Sequence, residues 1–401
     1  MSLVANSIKE IISIKIKSRN DSVTDQYQRI FMTKICIVFA ALVGVNYFND
    51  KVSCIIANTN GMSDSFVGAT CWIQGFYVFE EMITRFEDCG YYGIPKNMEH
   101  DGINSLGHLC AVNDRALGKI FGCHPMKKKY YDQYQYMPFF IASLAILFYL
   151  PYAIFKITNS DLMSLKDTLN NKEVKAEDIV SAYFNVKTNS IRKMKLRVVM
   201  TVCIKFLYLF ANVVAFILCD VLLNGDFRKY GLNYVRWMRS HSFIGLTSYG
   251  LKAQIEPKPG YVLLPAMGFC EIHEASRDNR NSYINSHRFI CEISPHLLYQ
   301  YVMLVFWFLL VFGIGISIAG VIVAMFGYLI NFICLLSKDS PAKKIYRIVT
   351  FREIDYLECI RRKNLPLYSD VLYSLKEKRV KKTKYSERKF EHFAFVKSDR
   401  E

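Results

Sequence analysis

Cysteine and histidine are the residues of this 401-residue chain whose type and spacing suggest chemistry. Seven of the twelve cysteines, Cys54, Cys71, Cys89, Cys110, Cys123, Cys270 and Cys291, fall in two long polar stretches. Cys270 and Cys291 stand just before a very long apolar run. Paired cysteines beside such a run suggest an oxidising, extracellular face, where thiols end as disulfides. His100, His108 and His124 with Cys110 and Cys123 offer a second chemistry, a zinc site. Their spacing matches no tight ligand pair, and an oxidising loop favours disulfides. Cys36, Cys203, Cys219, Cys334 and Cys359 are expected to be free thiols. There is no Gly-rich phosphate loop, no His-Glu-x-x-His and no Gly-x-Ser-x-Gly. No enzyme activity, cofactor or metal is therefore expected.

The elements that must position these cysteines are four apolar blocks, Ile30–Phe48, Met137–Phe155, Val198–Leu223 and Gln300–Leu336. They hold 19, 19, 26 and 37 residues. A spanning helix needs about 20 mostly apolar residues to cross a ~30 Å hydrocarbon core. Tyr130, Tyr131, Tyr134 and Tyr136 lead into the second block. Such rings have an oily face and a wet edge, which a bilayer interface selects. The expected fold is an all-α, four-helix membrane-spanning subunit. Its extracellular loops are disulfide-stapled with small β content, and its cytoplasmic segments are helical.

Charge sets the expected orientation. Segments 1–29, 156–197 and 337–401 carry 32 Lys and Arg, against 17 in the longer total of 49–136 and 224–299. The basic side faces the cytoplasm. No signal peptide is read in residues 1–29, so the first span would act as its own insertion signal. The chain thus divides into a cytoplasmic N-terminal helix (1–29), spans at 30–48, 137–155, 198–223 and 300–336, extracellular loops at 49–136 and 224–299, a cytoplasmic loop (156–197) and a basic cytoplasmic tail (337–401), with both termini inside. The net charge of +16 is accordingly no nucleic-acid footprint. Its natural partner is membrane lipid, the anionic inner leaflet.

Local patterns add detail. Val4, Ile8, Ile11 and Ile12 at helical spacing predict an amphipathic helix that lies on the inner leaflet or folds into a pore mouth. Lys205 and Asp220 are too far apart along one helix, roughly 22 Å, to pair with each other. Each is read as snorkelling, with a wet cavity as the alternative. Strands are expected around Tyr261–Leu264 and Arg288–Glu292, and helix around Asp178–Tyr183 and Ile191–Arg197. The run Asn49-Asp50-Lys51, polar directly after an apolar span, is a candidate for a pore wall.

Taken together, these residues resemble the innexins, the invertebrate gap-junction subunits related to pannexins. Tyr134-Gln135-Tyr136-Met137-Pro138-Phe139 is similar to the family's Tyr-Tyr-Gln-Trp-Val-Pro-Phe run, with Tyr for Trp and Met for Val. Phe148-Tyr149-Leu150-Pro151 and Thr70-Cys71-Trp72-Ile73-Gln74 are also innexin-like. The departures are Asn49-Asp50-Lys51-Val52-Ser53 before the first cysteine, three additional loop cysteines, and a tail without the family's Asp-Gly-Phe-Val-Leu-Arg-like stretch. The resemblance implies a subunit of a gap-junction channel that passes ions and small molecules between adjacent cells. It implies a ring of same or related subunits, eight favoured, docked onto an opposing hemichannel. It also implies the pairings Cys54–Cys291 and Cys71–Cys270. Cys89, Cys110 and Cys123 can form at most one further pair, which leaves one thiol expected to react with an impermeant reagent unless it pairs with another chain. The alternatives are an undocked hemichannel releasing small molecules and a four-span adhesion or scaffold protein. The tetraspanin and claudin cysteine motifs are both missing.

Overall fold

A computed structural model describes residues 22–49, 52–55, 63–112, 122–170, 174–185, 190–240, 257–277, 282–336 and 350–377. Among these, four helices are long and apolar enough to cross a membrane. Helix α1 starts at Val23–Gln26, passes through a π-helical stretch at Tyr27–Met32 and continues as Thr33–Asn49. Ser22 caps it, its side chain accepting from the Asp25 amide. Helix α2 (Asp64–Gln74) is capped by Ser63 and ends at Gly75, whose φ of 86° suits only glycine well. The remaining helices are α3 (Met137–Thr158), α4 (Ser160–Thr168), α5 (Ala176–Tyr183), α6 (Ile191–Leu222), α7 (Tyr230–Ser240), α8 (Pro259–Leu263), α9 (Ser294–Leu336) and α10 (Phe351–Lys363). The stretch 365–377 is also helical.

The spanning helices α1, α3, α6 and α9 bury no more than 39% of their most apolar windows. Ile146, Val221, Phe312 and Val323 are each about 70% exposed. Water would not tolerate such faces over the length of four helices, whereas lipid does, because every interior backbone group is already bonded within its helix.

The chain forms two compact units. The first takes in Met32–Ile146 and Asn212–Phe312. It holds a five-stranded antiparallel sheet ordered β1-β10-β9-β2-β8, made of Ser53–Ile55, Ser282–Glu292, Met267–Arg277, Phe76–Phe79 and Lys128–Tyr131. Strands β9 and β10 pair over eleven residues each. Strand β2 is buried along its whole length, and its Phe76, Tyr77 and Phe79 pack with Phe269 and Tyr134. Two smaller sheets lie in the same unit, β3 (Cys89–Tyr91) with β4 (Ile94–Pro95), and β5 (Gly102–Ile103) between β6 (Leu109–Cys110) and β7 (His124–Pro125). The strand expected around Arg288–Glu292 lies within β10. The one expected around Tyr261–Leu264 is instead helix α8. Pro259 fixes φ at its first position, and only Leu264 is extended.

Among the described residues, the second unit takes in those of 22–31, 147–211 and 313–377. Its core is formed by Leu165 of α4, Ile179 and Val180 of α5, and Ile354, Leu357 and Ile360 of α10. A capping box between Thr350 and Glu353 starts α10. Lys205 does not snorkel by itself. It ion-pairs with the 5%-exposed Asp25 of α1 and donates to Ser22 Oγ at 2.7 Å. An ammonium withdrawn from water needs such a counter-charge. Asp220, in the first unit, is likewise partnered. The chain turns after α6 through Asn224 and Gly225, both with positive φ. That return brings Arg228 to Asp220, with the backbone amide at 2.8 Å and Nη2 at 3.2 Å.

Candidate functional site

The site is built from the cysteines and the aromatic run that places them. Cys54 of β1 lies opposite Cys291 of β10 in the sheet register, and the two are bonded. Cys71 of α2 is bonded to Cys270 of β9. Both bonds join the loop after α1 to the loop before α9, with sequence separations of 237 and 199 residues. Cys71, Cys270 and Cys291 are fully buried and Cys54 is half-buried. The sulfurs of Cys54, Cys71 and Cys291 also approach one another as metal ligands would. Each is already spent in a disulfide, so none offers the thiolate that zinc requires.

The aromatic run positions α2, the carrier of Cys71. Tyr134 is fully buried and donates its hydroxyl to the Trp72 carbonyl at 2.5 Å. Its ring lies 4.5 Å from that of Trp72 and 5.7 Å, edge-on, from His296. Gln135 Nε2 donates to the carbonyls of Trp72 and Ile73 at 2.9 and 3.1 Å. These are C-terminal carbonyls of α2, which have no partner inside the helix. Tyr136 donates to Asp132 at 3.3 Å, and Pro138 and Phe139 open α3. The motif therefore clamps the end of α2 to the start of α3. Next to Tyr134, His296 Nδ1 bonds the Pro265 carbonyl at 2.7 Å, and Gln300 Nε2 donates to the Leu264 carbonyl at 2.7 Å. Trp307 packs on Gly231 so closely that a Cβ there would lie 2.1 Å from its ring.

The face of the sheet carries charge. Glu271 accepts from Lys128 Nζ at 2.5 Å and from Ser286 Oγ at 2.8 Å. Burial alone would raise its pKa, but the bonds from Lys128 and Ser286 hold it down to about 2. The carboxylate therefore stays ionised through neutral and mildly acid conditions.

Cys110 and Cys123 are bonded to each other and close the small sheet of β5, β6 and β7. A Cβ on Gly102 would lie 2.5 Å from the Cys123 sulfur, so only glycine fits there. Cys89 is left as a thiol, but 5% exposed and with its S–H on the Met82 carbonyl at 3.3 Å. This corrects the expectation of a reactive third cysteine. Burial also pushes the Cys89 thiol above its usual pKa, which lowers the thiolate fraction further. We expect Cys89 to stay unlabelled by an impermeant maleimide on intact cells and to label after denaturation. Labelling of the native protein, mapped by peptide mass, would contradict its burial.

Of the remaining candidates, Asn49 is the last residue of α1, while Val4, Ile8, Asp50 and Lys51 lie outside the described residues. The second unit holds polar groups that no local sequence pattern signals. Asp161 accepts from Arg352 at 2.7 and 3.1 Å, from Arg197 at 2.9 Å and from the Tyr356 hydroxyl. Arg352 Nη2 also donates to Asn159 at 2.8 Å. Burial opposes ionisation of Asp161, yet these donors bring its pKa below the usual value. These groups are far apart in sequence, so no spacing could have shown them.

The family model for innexins matches residues 21–377. The chain belongs to the innexin family. It is also similar to Innexin inx3 of Drosophila melanogaster, 20% identical over 329 residues that cover 80% of this chain and 70% of that one. Innexins form the subunits of gap-junction channels. The family's motif residues thus fall, in this innexin, on the clamp that seats α2 and on the loop cysteines.

Proposed function

We propose that this innexin forms a ring of same or related subunits around an aqueous pore, eight in number. The ring docks through its disulfide-tied loops onto a ring in the neighbouring cell. Both termini face the cytoplasm. One observation carries the reading: two disulfides weld the loops after α1 and before α9 into a single five-stranded sheet. A docking face outside the cell must keep its shape with little core beneath it, and cross-links between loops supply that stiffness. The undocked hemichannel would use the same subunit without a partner ring. Eight copies rest on the family resemblance. Averaged images of purified particles viewed down the ring axis test that number, with eightfold symmetry expected and sixfold or absent symmetry against it.

The pore wall is assigned to Met1–Ile12, through Val4 and Ile8, and to Asn49-Asp50-Lys51 at the outer end of α1. Support comes from the amphipathic spacing of the first segment and the abrupt polarity of the second. Asp50 and Lys51 carry opposite signs, so selectivity by charge should be mild. Asp50→Lys is expected to shift the reversal potential in asymmetric low salt towards anion permeability, where screening is least. An unchanged reversal potential at normal surface expression would remove Asp50 from the wall.

A further inference from the structure

The second unit contains a cavity of about 860 Å³ that the channel reading does not use. This is the size of a small-molecule site, usually ~300–1,000 Å³. Its walls come from the start of α1, the end of α3, α4, α6, α9 and α10. Three aromatic rings line it, Tyr152, Phe155 and Tyr328, all on membrane-spanning helices, and the Arg29 guanidinium stacks on Tyr152 at 3.9 Å. The lining is also rich in cations. Arg29, Lys166, Lys205, Arg352, Arg362 and Lys363 line it, against four carboxylates, an excess of two positive charges.

The carboxylates are largely engaged by these cations. Asp25 holds Lys205, Glu358 holds Arg362 at 3.0 Å, and Asp355 lies 3.7 Å from Arg352. Burial raises the Asp355 pKa to about 6, against the pull of Arg352, so its negative charge weakens in mildly acid conditions. Lys363, by contrast, donates only to neutral oxygens, the Lys166 carbonyl at 3.2 Å and the side chain of Asn170. An ammonium held on neutral acceptors beside a positive cavity suits a multiply charged anion.

We propose that this cavity binds the phosphate head group of an anionic amphiphile. The phosphate sits among Lys166, Lys363 and Arg362, and the apolar part lies along Tyr152, Phe155 and Tyr328. The same phosphate chemistry occurs in a membrane lipid and in a soluble phosphate ester. The aromatic wall on spanning helices favours the lipid.

The test uses the full chain in nanodiscs of phosphatidylcholine, titrated with a fluorescent phosphatidylinositol bisphosphate and, separately, with inositol trisphosphate. Saturable lipid binding is expected, weakened at least about tenfold by Lys166→Gln/Lys363→Gln, since one charged hydrogen bond is worth ~1.5–3 kcal/mol. Lys376→Gln, outside the cavity, should leave it unchanged. Inositol trisphosphate that binds as tightly as the lipid, with the same loss in the double variant, supports the phosphate site but assigns it to a soluble ester. Absent binding, or equal loss in Lys376→Gln and the double variant, overturns the proposal. Should the double variant misfold, a photoreactive lipid on the wild-type protein decides. Adducts on peptides bearing Tyr152 or Tyr328 support the site, and adducts only elsewhere overturn it.

Discussion

Cells that express Cys71→Ser/Cys270→Ser are expected to show no junctional current. The double replacement removes one bond without leaving a stray thiol. That bond is the sole covalent tie between α2 and β9 among the described residues, and it lies in a core that includes Phe76, Phe269 and Tyr134. Loss of a native disulfide costs about 2–5 kcal/mol. A small sheet has little else to offset that, so it should lose its order at 37 °C. Two measurements check this. Trp72 packs on Tyr134 beside the bond, so its fluorescence should report melting at a lower temperature in purified protein. Surface biotinylation with paired recording separates lost trafficking from lost docking. A variant with wild-type melting and wild-type junctional current would show that the bond is dispensable.

The second large effect concerns the other unit. Arg352→Met keeps the volume of a buried side chain, 2% exposed, and removes its charge. Asp161 would then hold a buried carboxylate with Arg197 and the Tyr356 hydroxyl as its remaining partners. Removing one member of a buried pair costs about 3–5 kcal/mol, since the other charge stays desolvated. We expect faster amide exchange in α4 and α10. Adding Asp161→Asn should restore part of the protection, because the buried carboxylate of Asp161 is then gone, although Arg197 and Asp355 each lose a partner. Exchange unchanged in the single variant would mean that the apolar core of Leu165, Ile354 and Leu357 holds the unit without this pair.

How much of this was legible beforehand depends on the range of the interaction. The four spans follow from runs of apolar residues, a local property, and all four appear as helices. Helices near Asp178–Tyr183 and Ile191–Arg197 show the same locality. Around Tyr261 the apolar residues looked like a strand. A five-residue segment does not separate the two periods, and Pro259 tipped it to helix. Nothing local could tell that Lys205 meets Asp25, or that Asp220 meets Arg228 across a turn. In the first case the partners are 180 residues apart. Likewise, Cys89 could not be told from Cys110 or Cys123 by spacing, because the fold brings Cys110 to Cys123 and buries Cys89. The motif Tyr134-Gln135-Tyr136 was visible as a string. Its work, holding the carbonyl ends of α2, is visible only in three dimensions.

The central claim is that the disulfide-tied sheet joins two rings into one channel between cells. Dual voltage clamp of paired cells, with both cells expressing the chain or only one, tests it most directly. The account predicts junctional conductance and dye transfer when both cells express it, and none when a single expressing cell faces a bare one. Equal currents across the membranes of isolated cells, with no transfer between paired ones, would contradict docking and leave an undocked hemichannel.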